Sequence, residues 1–163
     1  MGSEPITEMQ DEASQAPTSV ATPSGDTEME LEERWAAQIS ALPEAAGHAV
    51  TLAVRILVKD KAQEQVLISL AGKSAVADAM IIASGESSRQ VIAMAEHLAK
   101  AFKAAGIEVL ATEGTEAGDW VLIDANHLVI HLFRPEVREY YNLERLWATD
   151  FDAAPRTRLS QSA

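Results

Sequence analysis

Cysteine is absent from this sequence of 163 residues, and basic residues are scarce. Without cysteine the chain has no disulfides, no thiolate catalysis and no Cys-based zinc site. The 13 Lys and Arg residues stand against 25 Asp and Glu, which gives a formal net charge of −12. A protein that binds nucleic acid mainly through phosphates needs a basic face. The charge therefore argues against such a protein and leaves a basic protein open as the partner.

Long apolar runs are also missing, and no run in the sequence is long enough to span a bilayer. The N-terminus is acidic and lacks the basic start and apolar core of a secretory signal. It also lacks the arginine enrichment of a mitochondrial transit peptide. The expected location is therefore the cytoplasm of a bacterium.

Acidic residues are concentrated near the N-terminus. Residues 1–47 carry ten acids and one Arg, whereas residues 48–150 carry fourteen acids and ten bases. Residues 1–44 are predicted to form an acidic, mostly disordered extension. Its first part is rich in Glu, Ser, Thr and Pro, so it cannot bury enough apolar surface to offset the loss of chain entropy.

The folded domain is predicted to cover residues 45–150, followed by a flexible tail at 151–163. At the end of the extension, residues 28–42 place apolar side chains at a helical spacing and are predicted to form a short helix before Pro43. Trp35 in this helix either docks on the domain or lies in solvent, and weak docking is the favoured interpretation.

The apolar pattern of the folded part predicts an α/β domain in which helices pack on a mixed sheet of about five strands. A strand on either side of a long helix implies a parallel crossover. The last two strands, joined by a predicted two-residue turn at Ala125 and Asn126, imply an antiparallel hairpin. The predicted helices are 45–61 and the segment between Ser87 and Gly106, and the predicted strands are 66–70, 79–83, 107–110, 120–124 and 128–133.

Aromatic residues are few, and five of the eight lie between residues 119 and 147. Successive side chains in a strand point to opposite faces, so Trp120 and Leu122 are predicted to share one face of the sheet and Val121 and Ile123 the other. Leu122 and Ile123 are interpreted as core. Trp120 stands at the start of its strand, where a core position and a contact with a partner are both open.

The last predicted helix begins at Pro135, because proline is favoured in the first turn of a helix. Charged residues alternate along it with Tyr140, Tyr141, Leu143 and Leu146. The helix is either a solvated amphipathic helix or a docking surface rimmed by charge, in which Arg and Tyr are typical anchors.

Catalytic motifs are weak in this sequence. Ser84-Gly85 lies between a strand and a helix, where an anion can bind, but the other glycines of a dinucleotide motif, a P-loop lysine and a magnesium-binding carboxylate pair are missing. A structural turn with a capping box of Ser87 and Gln90 is the favoured interpretation. His131 lies in an apolar strand and is interpreted as a hydrogen-bonded sheet histidine. The histidines lack the spacing of metal ligands, so no metal site is predicted. Because the catalytic and cofactor-binding motifs are missing as well, no enzyme activity and no cofactor are predicted.

Several segments resemble one known family, in the family's order and across nearly the whole folded part. They are Gly72-Lys73-Ser74 with Asp78, IIASGESSRQV at 81–91, Glu113-Gly114, WVLID at 120–124, LVIHLF at 128–133, and E-x-R-x-Y-Y-x-L-E-x-L-W at 136–147. From residue 48 to about residue 150, the chain resembles the ribosomal silencing factor family, whose members are also called Iojap-related proteins.

This resemblance implies an αβα domain that is related in shape to nucleotidyltransferases and has no established catalysis. It implies binding to the large ribosomal subunit through ribosomal protein L-fourteen, on the face that meets the small subunit. A factor bound there blocks the joining of the subunits and lowers translation, especially under nutrient limitation. Carried over by motif, the partner-binding residues are Trp120, Val121 and Leu122 of the strand, Arg138, Tyr141 and Glu144 of the last helix, and Lys73 on a weaker match.

The chain departs from the family pattern at two places. Asn126-His127 stand in the hairpin turn where the family has Gly-Asp, and Ser69 stands in the first strand where the family often has Asp. Two other functions stay open. One is a nucleotidyltransferase-like enzyme that uses Ser84-Gly85. The other is a dimeric adaptor that uses the same aromatic surface on itself, since exposed apolar sheet favours self-association when a partner is absent.

Overall fold

The computed structural model describes residues 27–70, 76–143 and 145 of the chain. Of the extension expected at 1–44, residues 1–26 lie outside these ranges, and so does the tail expected at 151–163. Within the described ranges, no helix has the length and apolar character needed to cross a membrane. The helices are α1 (Glu28–Ser40), α2 (Glu44–Lys59), α3 (Ser88–Ala104) and α4 (Pro135–Tyr141). The strands are β1 (Gln63–Ser69), β2 (Ala79–Ser84), β3 (Ala111–Glu113), β4 (Trp120–Asp124) and β5 (Leu128–Phe133).

The five strands form one sheet in the order β1-β2-β5-β4-β3. Strands β2 and β5 are parallel neighbours, and each of the other neighbouring pairs is antiparallel. Strand β3 therefore runs parallel to β2, with α3 as the connection between them, and β4 and β5 form the antiparallel hairpin. The predicted α/β class and mixed sheet are confirmed.

The third strand lies later in the chain than the apolar run at 107–110 predicts, so that prediction is wrong. Gly106 takes a left-handed φ of 78°, and the Ile107 N–H donates to the Phe102 carbonyl over 2.8 Å. The start of the apolar run thus completes the end of α3. Pairing with β4 begins only at Leu110, whose N–H donates to a β4 carbonyl over 2.7 Å.

Three residues, 125–127, separate the ends of β4 and β5, but the Ala125 N–H donates to the Leu128 carbonyl over 2.8 Å. The turn therefore has two residues, as predicted, but they are Asn126 and His127 rather than Ala125 and Asn126. Asn126 adopts a φ of 72°, as its tolerance of positive φ predicts, and its N–H donates to the Asp124 carboxylate over 3.0 Å. His127 directly precedes β5, and its carbonyl accepts the Asp78 N–H over 2.9 Å. That bond ties the turn to the start of β2.

The main core lies between one face of the sheet and helices α1, α2 and α3. The apolar side chains that repeat at helical spacing along α3 face this core. Val121 and Ile123, on alternate positions of β4, face it as well. Members from the helices and strands include Val54, Leu57, Leu98, Phe102, Ile81, Val121, Ile130 and Leu132. This packing holds one face of β4 under the helices.

Helix α1 packs against α2 and belongs to the same core. It begins with a capping box between Thr27 and Glu30. Leu31 is fully buried and Trp35 is 2% exposed. Gln38 Nε2 donates to a β1 carbonyl over 3.2 Å. Trp35 therefore docks on the domain, and α1 also contacts an edge strand of the sheet.

The opposite face of the sheet carries a smaller core, which α4 covers in part. Helix α4 begins at Pro135 as predicted and is capped by Asn142, which has a left-handed φ of 49°. Trp120 and Leu122 pack against this core but keep part of their surface exposed. The buried members of the smaller core are Val66, Ile68, Leu70, Ala77, Met80, Ile82, Val129 and Phe133.

Candidate docking surface

Strand β4 divides its side chains between the two faces of the sheet, as the alternation predicts. Trp120 and Leu122 lie on the partly open face. Val121 and Ile123 are fully buried on the face that the helices cover. The prediction of Val121 as a partner-binding residue is therefore corrected, because its side chain is packed beneath helices and reaches no surface.

The Trp120 indole is held by contacts on several sides. The strand register places it opposite Phe133, and the two ring centroids are 4.9 Å apart. Its Nε1–H donates to Nδ1 of His131 over 2.9 Å. The Tyr141 ring of α4 lies 4.8 Å away. Trp120, Leu122, His131 and Tyr141 together form what is called here the docking surface.

A depression of about 290 Å³ borders the docking surface, and Glu113 and Gly114 form its other wall. Gly114 has a φ of 89°, and a Cβ at this position would lie 2.1 Å from the Trp120 carbonyl oxygen. Only glycine allows the loop to approach β4 so closely. The glycine of the Glu-Gly pair in the family resemblance thus has a structural reason.

The backbone before Trp120 is fixed by Asp119 and Arg134. Arg134 Nε donates to the Asp119 carboxylate over 2.9 Å, and the Arg134 backbone N–H donates to the Asp119 carbonyl over 3.1 Å. Both side chains are partly exposed, so the ion pair itself contributes little to stability. Its main effect is to join the start of β4 to the end of β5.

Helix α4 brings Tyr141 to the docking surface, where it is 51% exposed. The same helix takes Arg138 into the interior, since this side chain is 6% exposed and its guanidinium donates to the Ser84 hydroxyl over 2.7 Å. The prediction of Arg138 as a partner-binding residue is corrected, because the side chain ties α4 to the end of β2. Lys73 and Glu144, which complete the predicted set, lie outside the described residues.

His131 is a hydrogen-bonded sheet histidine, which confirms the interpretation from its apolar strand. It is 9% exposed, and desolvation by burial lowers its pKa from 6.5 to about 4, so the ring is neutral at pH 7. An indole N–H can only donate, so Nδ1 accepts and the ring proton sits on Nε2. The contact with Trp120 was not predicted, although strand alternation already puts both residues on one face. With the turn at Asn126 and His127 they are diagonal neighbours, and Leu122 lies directly opposite His131.

Mild acid is expected to destabilise the protein through His131. Its folded-state pKa of about 4 lies below the ordinary 6.5. Stabilisation that is present above pH 6.5 is therefore lost as the pH falls towards 4. At pH 5.5 this loss amounts to about 1 kcal/mol. Urea unfolding at pH 7.5 and pH 5.5 should show a smaller pH effect in His131→Asn than in the wild type, and equal effects would contradict the assignment.

The Ser84-Gly85 turn is occupied by structural contacts. Ser84 is buried, and Gly85 packs closely against α3, where an added Cβ would lie 2.8 Å from the terminal methyl group of Met94. The predicted cap is confirmed, since the Ser87 hydroxyl accepts the Gln90 N–H over 3.1 Å. The reciprocal bond goes one residue earlier than in a capping box, from the Glu86 N–H to the Gln90 side chain over 2.7 Å. Among the described residues, no group of three or more His, Asp and Glu side chains is placed to hold a metal ion.

Comparison with known proteins adds an independent observation. Residues 43–163 match the family model described as "Ribosomal silencing factor during starvation". The chain belongs to the ribosomal silencing factor family. The resemblance carried by the sequence motifs is therefore confirmed. The family match includes each strand and helix that contributes to the docking surface, whereas α1 precedes it.

Individual proteins that are similar to this chain extend the match. The ribosomal silencing factor of Zymomonas mobilis is 61% identical over 88 residues, which span 54% of this chain and 66% of that protein. A Mus musculus protein named mitochondrial assembly of ribosomal large subunit protein 1 is 33% identical over 124 residues, spanning 71% of this chain and 54% of that protein. A crystal structure from Chromobacterium violaceum, 34% identical, has a TM-score of 0.60 and covers 65% of this chain and 91% of that one.

Proposed function

We propose that this protein binds the large ribosomal subunit and sterically blocks its joining with the small subunit, which represses translation under nutrient limitation. The observation that carries the proposal is the docking surface, in which a fixed Trp120 and a half-exposed Tyr141 stand beside an apolar sheet face. Aromatic side chains that are rigid before binding are typical interface anchors. Membership of the ribosomal silencing factor family and the name of the mouse relative both point to the ribosome as the target.

The partner contact that we propose is ribosomal protein L-fourteen, on the subunit face that meets the small subunit. Residues 48–150 carry fourteen acids and ten bases, so the domain is mildly acidic. Charge of this sign favours approach to an exposed basic protein and disfavours contact with bare RNA. The proposed place of action is the cytoplasm.

Subunit joining provides the direct test of this function. Purified protein, incubated with large subunits before small subunits are added, is expected to lower the fraction of joined ribosomes in a sucrose gradient and to sediment with the large subunit. The Trp120→Ala variant at the same concentration should leave joining nearly complete, because it lacks the central anchor. Sedimentation with the small subunit, or undiminished joining despite binding, would contradict the proposed block.

A homodimer of the free protein is a second proposal for the same surface. Tyr140 is 80% exposed and lies edge-on to Tyr141, with ring centroids 4.9 Å apart. Exposed aromatic side chains favour self-association when the partner is absent. Analytical ultracentrifugation should then show a concentration-dependent dimer that dissociates as large subunits are added. A dimer that persists on the bound subunit would show that the two surfaces are different.

A further inference from the structure

We infer that His131 is a positioning residue for Trp120, whose indole its Nδ1 atom holds in the orientation that meets the partner. The inference rests on the proposed function, in which Trp120 contacts the large subunit. His131 itself is too deeply buried to provide much of that contact. It acts through the tryptophan.

The ring contacts of Trp120 restrict the tilt of the indole plane, but they do not determine which edge of the indole faces outward. Phe133 and Tyr141 lie at centroid distances of 4.9 Å and 4.8 Å. An indole turned over about χ2 keeps similar stacking partners, because both of its faces are aromatic. Only one edge of the indole carries an N–H group, and the hydrogen bond to His131 over 2.9 Å selects that edge. This bond therefore decides which edge of Trp120 faces outward.

His131 is itself fixed in the sheet. Its neighbours in register are Leu122 on β4 and Ile82 on β2, and its ring is stacked with Phe133 at an interplanar angle of 13°. These apolar neighbours favour the neutral ring, in which Nδ1 can accept a hydrogen bond. A protonated ring would present N–H groups on both nitrogens and oppose the indole N–H.

The expected consequence for binding follows from pre-organisation. A ligand-binding group that is correctly oriented only part of the time binds more weakly in proportion to that fraction. Removing the acceptor frees the indole to sample other orientations while its stacking partners stay in place. Loss of one hydrogen bond of ordinary strength corresponds to about tenfold weaker binding.

Two variants separate positioning from packing. In His131→Asn the amide oxygen lies near the place of Nδ1 and keeps an acceptor, whereas His131→Leu fills the apolar site without one. A purely structural role would favour Leu, since Asn is poorly suited to a buried strand. Positioning predicts the opposite order in co-sedimentation with large subunits, with His131→Leu about tenfold weaker than the wild type and His131→Asn within about twofold of it.

A measurement on the free protein supports the same test. The indole N–H signal of Trp120 in nitrogen–proton NMR spectra is assigned by its loss in Trp120→Phe. This signal is expected to shift and to exchange faster with solvent in His131→Leu, and to stay close to the wild type in His131→Asn.

An unchanged indole signal in His131→Leu, or weaker binding by His131→Asn than by His131→Leu, would overturn the inference. The proposed function has its own criterion, because it fails if the wild-type protein does not sediment with the large subunit or leaves subunit joining undiminished. In that case the indole signal alone decides whether His131 positions Trp120.

Discussion

Trp120→Ala is expected to weaken binding to the large ribosomal subunit about thirtyfold or more, which corresponds to about 2 kcal/mol. The substitution removes a large aromatic side chain that is already fixed by His131, Phe133 and Tyr141 before binding. A few central, rigid aromatic anchors carry most of the binding free energy at protein interfaces. Titration of purified large subunits with the variant, followed by co-sedimentation, measures the change in affinity.

The matched control for this variant is Met29→Ala. Met29 is 66% exposed and lies on α1, which packs on the helix-covered side of the sheet. Its removal also deletes exposed apolar surface, but away from Trp120, so binding should equal that of the wild type. Co-sedimentation of Trp120→Ala at near wild-type affinity would exclude Trp120 as the central anchor.

Trp35→Ala is expected to lower the free energy of unfolding by about 3–5 kcal/mol. Trp35 is 2% exposed and packs in the main core beside the fully buried Leu31. Truncation to alanine loses the burial of the indole and leaves a cavity that the neighbouring helices cannot close completely. Urea unfolding followed by circular dichroism measures this loss without depending on tryptophan fluorescence.

Met29→Ala serves as the control here as well, because Met29 lies on the same helix but is exposed. It should change stability by less than about 0.5 kcal/mol. At a temperature where Trp35→Ala is still folded, its affinity for the large subunit should match the wild type, since α1 packs on the side of the sheet away from Trp120. Wild-type stability of Trp35→Ala would mean that α1 does not belong to the core in solution.

Hydrophobic periodicity predicted most of the fold, but it misplaced the third strand and the hairpin turn. The stripe on α3 and the alternation on β4 follow from local geometry, because helices repeat every 3.6 residues and strands every two. The run at 107–110 is as apolar as a strand, but the end of α3 uses its first N–H group. The hairpin turn lies one residue later than predicted, and its His127 carbonyl bonds to the start of β2, a contact between segments that are far apart in the chain.

The sequence predicted only part of the candidate site, because side-chain burial and pairing depend on contacts between distant segments. Alternation separates Trp120 and Leu122 from Val121, but it cannot tell which face the helices cover. A charged residue on a short amphipathic helix favours an exposed position, yet Arg138 turns inward to Ser84. The pairing of Trp120 with His131 depends on the register of β4 and β5, which the position of the turn decides.

The sequence by itself determined the family, the α/β class, the order of most elements and the segment in which the docking surface lies, because motifs and hydrophobic periodicity are local properties. Only the tertiary structure decided that Val121 and Arg138 are buried, that Trp35 belongs to the core, and that His131 bonds Trp120. Each of these depends on which elements pack together and in which register. Burial and side-chain pairing arise between distant segments, and a local pattern does not carry that information.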